Sequence, residues 1–211
     1  IEGAEAVHGL GLGGVKLWMA NVPTAYPHNS EWNLTAGATF LDIIRHPYFE
    51  EALELPFRVV ALEVQEARGP GWTRTPGHSI NPDSDFAEDE RQVRELTAHL
   101  LRRYRDREIT FLIQNWEGDW MYRGGARREW MRGEFSERER RADAFRRWFA
   151  ARQRGVDAAT AAAGATRAKV WHAIEVNRVF DLERGIATLT EDVLPGVEVD
   201  LISWSCYDGM R

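Results

Sequence analysis

Five stretches of the chain run apolar and then turn polar over their last few residues: 15–21, 59–66, 109–120, 170–178 and 199–208. The third carries the pattern furthest. Ile109-Thr110-Phe111-Leu112-Ile113-Gln114 reads as a buried strand, and Asn115-Trp116-Glu117-Gly118-Asp119-Trp120 follows it directly. A carboxylate taken out of water must be paired, protonated or used. In parallel α/β proteins the carboxyl ends of strands are where sites are built. The pattern predicts parallel strands near 15–20, 59–64, 109–115, 170–176 and 199–205, with their carboxyl ends on one face.

Helical signals lie between these stretches. Thr39 and Asp42 form a capping pair for residues 39–54, with a break or restart at Pro47. Over 85–104, Asp85 and Glu88 give an N-terminal box, and Val93, Leu96, Leu100 and Tyr104 fall on one face. Ser136 and Glu139 open a helix over 137–153 that buries Phe145, Trp148 and Phe149. An Ala-rich helix over 156–163 ends near Gly164, and a short turn near 191–194 stops at Pro195-Gly196.

Strands alternating with helices argue for βαβ units and a parallel sheet. The loops 66–84 and 118–135 are long and follow polar strand ends, whereas the returns 105–108 and 165–169 are short. That asymmetry belongs to a (β/α)8 TIM-type barrel, whose sites occupy the βα-loop face. A doubly wound sheet shows the same alternation, but neither a G-x-G-x-x-G nor a Walker motif follows a strand. The glycine run from Gly9 to Gly14 precedes its strand instead. Residues 1–211 therefore read as one barrel segment, truncated at both ends.

Strand side chains alternate with period two. Phe111, Ile113, Asn115 and Glu117 share one face, as do Val59, Ala61, Glu63 and Gln65. Trp171, Ala173, Glu175 and Asn177 share another, and Ser203, Ser205 and Tyr207 a fourth. If all four faces point inward, the mouth collects Glu63, Gln65, Asn115, Glu117, Glu175, Asn177 and Tyr207. Acids with amide and phenol neighbours can have their pKa values driven apart, as general acid/base work requires. Glu117 is then a catalytic acid or a carboxylate paired with Arg, and Glu175 a structural or substrate-binding group. Asp119 and Asp208 read as caps, and His172, opposite Glu175, as a packed histidine. The histidines show no metal-ligand spacing, and no cofactor is expected.

The composition, 44% hydrophobic and 28% charged, is that of a globular protein. No apolar run approaches the roughly 18 residues of a membrane span, and a net charge of −6 argues against a general nucleic-acid footprint. Cys206 stands alone, which excludes an internal disulfide. Of the nine tryptophans, Trp18, Trp116, Trp120 and Trp204 lie at or just beyond strand ends, and Trp72 and Trp130 in loops that follow such ends. Aromatic faces there suit a sugar.

These residues resemble glycoside hydrolases of the clan A type, the retaining (β/α)8 glycanases. In that clan the fourth strand ends in Asn followed by the acid/base Glu, and Asn115 and Glu117 are similar to that pair, with Trp116 standing between them here. The resemblance makes the five strands numbers two to six and puts Tyr207 where a tyrosine supports the nucleophile. The nucleophile itself would be a Glu on a seventh strand outside this chain. The implied mechanism uses two carboxylates about 5–5.5 Å apart. Glu117 would protonate the leaving oxygen and then activate water, Asn115 would hold a ring hydroxyl, and Trp120 and Trp204 would be sugar platforms. Glu63, Glu175 and Asn177 complete the expected carbohydrate-binding set. Two rival readings are a non-catalytic carbohydrate-binding barrel and a barrel enzyme acting on a small sugar or acid with a metal on Glu63, Glu117 and Glu175.

Overall fold

The computed structural model describes residues 1–19, 34, 37–67, 80–124 and 137–209. The expectations for Asn21, Trp72, Trp130 and a cap at Ser136 lie outside the described residues, as does the side chain of Asp208.

The strands form where the apolar-to-polar runs predict them. They are β1 (Gly14–Trp18), β2 (Val59–Glu63), β3 (Thr110–Gln114), β4 (Lys169–Val176) and β5 (Leu201–Trp204). All four neighbouring pairs are parallel, and the sheet order is β1-β2-β3-β4-β5 without a reversal. The architecture is α/β on an open five-stranded parallel sheet, and no closed barrel is formed among the described residues.

The helices are α1 (Glu2–Gly9), α2 (Phe40–Ile44), α3 (Pro47–Glu54), α4 (Ala87–Arg103), α5 (Gly118–Arg123), α6 (Arg138–Ala163) and α7 (Leu189–Asp192). Short 3-10 segments cover Val179–Arg184, Leu194–Gly196 and Cys206–Gly209. Thr39 and Asp42 form the expected reciprocal capping box on α2, and Pro47 opens α3. The start of α4 departs from expectation. Phe86 is its N-cap, at φ 57°, while Glu88 pairs with Arg91 and Gln92. A left-handed phenylalanine costs about 1–2 kcal/mol. Burial of its ring and hydrogen bonds from Phe86 N to Ser84 Oγ and from Ala87 N to Asp85 Oδ1 hold it there.

The two helices expected over 137–153 and 156–163 are one continuous helix, α6. Gly155 does not break it, because glycine is what lets α6 touch α4. A Cβ at that position would sit 2.7 Å from the carbonyl oxygen of Glu90.

The core lies on one face of the sheet. Val60, Leu62, Phe111 and Ile113 pack with Val93, Leu96 and Leu100 of α4. Ile174 and Val176 pack with Phe145, Trp148 and Phe149 of α6. Residues in register share a face, so the opposite side carries Lys16, Glu63, Gln114 and Glu175. No helix layer covers that side among the described residues, and Val59 and Trp171 on it are 41% and 40% exposed.

Register also corrects the facing of β3. Phe111 aligns with Val60 and Val170, and Ile113 with Leu62 and His172, on the helix side, so Asn115 continues that side, while Gln114 aligns with Glu63 on the bare one. Period two assigned the wrong phase because both faces of β3 are apolar until its end. A strand that is apolar on both sides gives alternation no sign.

Candidate functional site

Three elements bring carboxyl groups together at the carboxyl end of the bare face. Glu63 ends β2, Glu175 sits one residue before the end of β4, and Glu117 precedes α5. The lysine of β1 joins them. Lys16 Nζ donates to Glu175 Oε2 at 2.8 Å and lies 3.0 Å from Glu63 Oε2. Gln114 Nε2 donates to the same Glu175 Oε2 at 2.6 Å, and the backbone N–H of Glu117 donates to Glu175 Oε1 at 2.9 Å. Both Glu63 and Glu175 are buried, while Lys16 keeps partial access to water.

The environments of the carboxyls differ. Glu175 receives donors on both oxygens. Glu63 is pushed above its ordinary pKa chiefly by burial, opposed by Lys16 and reinforced by the charges of Glu175 and Glu117. Glu117 is also pushed up, first by burial and then by the charge of Glu175, and no hydrogen bond supports its carboxylate among the described residues. Burial works against the charge of Lys16, but its hydrogen bonds to Glu175 and Glu63 outweigh that and hold its pKa above the usual lysine value.

Glycine fixes the approach of Glu117. A Cβ on Gly118 would lie 2.3 Å from Leu189 Cδ1 and 2.4 Å from the carbonyl oxygen of Glu175. The chain can therefore turn from β3 into α5 directly beneath β4, which aims the Glu117 N–H at Glu175.

The other expected site residues go elsewhere. Asn115 is fully buried and bonded to the backbone of Glu175 through both ends of its amide. Asn177 exchanges hydrogen bonds with Asp119, its Oδ1 accepting from Asp119 N and its own N donating to Asp119 Oδ2. Asp119 also accepts from the N–H groups of Arg178 and Leu189, so it caps three backbone positions as the sequence implied. Trp120, on α5, has the guanidinium of Arg178 5.3 Å and that of Arg123 5.9 Å from its ring. Trp204 aligns with Val176 on the helix side of β5 and meets the ring of Phe180 at 5.9 Å, away from the carboxyl group. Tyr207 is exposed on the 3-10 turn after β5. His172 is packed, as expected, with burial holding it well below the ordinary histidine pKa.

Sequence reasoning missed Lys16 and Gln114. Lys16 carried a signal: only two lysines stand among 27 basic residues, and one of them interrupts an apolar strand. Gln114 was hidden by the phase error on β3.

Among the described residues no three His, Cys, Asp or Glu side chains group to hold a metal. The position between Glu63 and Glu175 that a cation would take is filled by the Lys16 ammonium. The metal-bound alternative on Glu63, Glu117 and Glu175 therefore does not fit the donor set. Also among the described residues, no helix is long and apolar enough to cross a membrane. Comparisons of the chain with protein-family models, with curated proteins and with solved structures found no match.

Proposed function

We propose that the protein is a glycoside hydrolase-like enzyme of (β/α)8-barrel type, cleaving glycosidic bonds by a two-carboxylate retaining mechanism with Glu117 as acid/base. Support for the barrel comes from the way the site climbs across the strands. Lys16 aligns in register with Ala61, Leu112 and Trp171, yet it meets Glu63 and Glu175, two and four residues further along. Three strand spacings in a flat sheet separate β1 from β4 by about 14 Å. Contact across that gap needs a sheet curled around its bare face. A climb of about one residue per strand is the stagger of an eight-stranded barrel with a shear of eight. Sequential strand order, with the core on one side, supports the same reading over a doubly wound sheet, whose order reverses at its switch point.

The observation that carries the catalytic assignment is the inequality of the three carboxyls. Glu63 and Glu175 are bound to an ammonium, whereas Glu117, raised like Glu63, has no donor among the described residues. A group that must hold a proton and then release it to a leaving oxygen needs that environment. The attacking carboxylate of a retaining mechanism would come from a strand beyond these five. Trp18, 41% exposed and in register with Glu63, supplies an aromatic face on the same side.

The test is hydrolysis of a panel of aryl α- and β-glycosides by the intact protein and by Glu117→Gln. The substitution keeps shape and removes the proton donor, so turnover should fall about 10²–10⁴-fold with sugar binding retained. Undiminished turnover in the variant would overturn the assignment of Glu117. Sugar binding without cleavage in the wild type would replace the enzyme reading with a non-catalytic carbohydrate-binding barrel.

A further inference from the structure

The Lys16 ammonium spans the floor of the site from the strand furthest from Glu175 among β1 to β4. Among the described residues every charged group facing it is a carboxylate: Glu63 from β2 and Glu175 from β4 in contact, and Glu117 from the turn after β3 at longer range. Two further polar groups of the described residues on this face are neutral. Gln114 donates to Glu175, and Ser203 of β5 aligns with Glu175, its hydroxyl buried and unpartnered among the described residues.

We propose that Lys16 is a positioning residue whose ammonium holds Glu63 and Glu175 together as an ionised pair and so confines proton exchange in the site to Glu117. This rests on the reading of Glu117 as acid/base. Two carboxyls bound to one ammonium nitrogen would repel each other without it, and like charges that close share a proton. A proton resting on that pair would compete with the one the reaction needs on Glu117. A lysine suits the task better than an arginine, because its ammonium is a compact point charge that can donate to two carboxylates on different strands. Both contacts are on Oε2 atoms, and the second oxygen of Glu175 is left to orient the Glu117 backbone. Lys16 thereby links the charge state of the pair to the placement of the acid.

With two lysines in its 211 residues, the chain is directly readable. In protein labelled with ¹⁵N at the lysine side chains, two ammonium signals are expected, and Lys16→Arg assigns them. Carboxyl ¹³C signals of Glu63, Glu117 and Glu175 are assigned by single Glu→Gln substitutions. On lowering the pH, the Lys16 nitrogen signal should follow the protonation of Glu63, which it contacts, and Glu117 should take up its proton first. In Lys16→Met the Glu63–Glu175 pair should take up a proton about 1–3 pH units higher than in the wild type. Lys16→Arg, which restores the charge, should return the pair toward its native midpoint. A pair that titrates unchanged in Lys16→Met, or that takes its proton before Glu117 in the wild type, would overturn the proposal. If Lys16→Met does not fold, the native nitrogen and carbon titrations decide alone. None of these readouts needs turnover. Failure to cleave any glycoside would sink the enzyme reading without touching the titrations, and an unchanged pair in an active enzyme would sink the role of Lys16 alone.

Discussion

The amide of Asn115 grips the backbone of Glu175 from both sides. Its Nδ2 donates to Glu175 O at 3.0 Å, and its Oδ1 accepts from Glu175 N at 3.0 Å. The β3–β4 pairing thus continues past the last residue of β3 through a side chain that imitates a backbone.

Asn115→Ala should therefore behave as a folding variant. It leaves a buried N–H and a buried carbonyl without partners, at about 1–3 kcal/mol each. The expected result is a lowered denaturation midpoint with altered placement of Glu175. Loss of sugar affinity with unchanged stability would instead return Asn115 to the role of hydroxyl holder that the resemblance implied.

Gly118→Ala should damage both fold and site. The new methyl would meet Leu189 Cδ1, the carbonyl of Glu175 and, at 2.9 Å, Asn115 Nδ2. The side chain of Leu189 can rotate aside, but the carbonyl belongs to β4 and cannot. Overpacking of this kind costs about 1–3 kcal/mol, and relief requires the 117–118 segment to move away from β4. The hydrogen bond from Glu117 N to Glu175 Oε1 should break, which a change in the titration of the Glu117 carboxyl would report. An unaltered melting curve together with an unaltered Glu117 titration would show that the turn has room the structure does not indicate.

The strands were legible in the sequence because a buried parallel strand is an apolar run with an abrupt polar end. Each predicted segment overlaps an observed strand, to within two residues at either end. Caps were legible where one side chain decides them, as at Thr39 and Asp42, and not at Phe86, where tertiary burial overrides conformational preference. Which of Gln114 and Asn115 enters the site was not legible. That choice depends on register against β2 and β4, and the apolar faces of β3 hold no record of it. The six residues of α5 were read as loop because a helix under two turns shows no period. Glu63, Glu117 and Glu175 were found through strand ends. Lys16 was passed over because a long side chain acts far from its own strand, and its partner Glu175 stands three strands away in the sheet.

A second buried charge cluster, on the helix side, predicts a reversed pH dependence of stability. Asp89 is 2% exposed, and its Oδ1 accepts from Ala67 N and Trp148 Nε1. Burial raises its pKa from 3.8 to about 7, against the opposing pull of Arg152, Trp148 and the Ala67 N–H. The folded state therefore holds a proton that the unfolded state releases. The stabilisation from that proton is complete below about pH 4, declines as the pH rises toward 7 and is gone above it. Asp89→Asn, which imitates the neutral form, should gain on the wild type as the pH rises from 5 to 8 in urea denaturation. A difference between the two proteins that is flat over that range would show Asp89 to be ionised throughout.

The aromatic platform is expected at Trp18 and not at Trp120. Trp18 stands on the bare face in register with Glu63, partly open to solvent. Trp120 has two guanidinium groups near its ring, those of Arg178 and Arg123, and lies on α5 rather than on the sheet. Contacts of that kind contribute about 0.5–1 kcal/mol each at exposed sites. Trp120→Ala should then lower thermal stability modestly and leave oligosaccharide affinity intact. Trp18→Ala should weaken that affinity by about 1–3 kcal/mol, the value of losing a large stacked ring. Isothermal titration of oligosaccharides into both variants separates the two roles. Affinity lost with Trp120→Ala and kept with Trp18→Ala would move the sugar from the bare face of the sheet to the surface of α5. The carboxyl group at the end of β2, β3 and β4 would then no longer lie in its path.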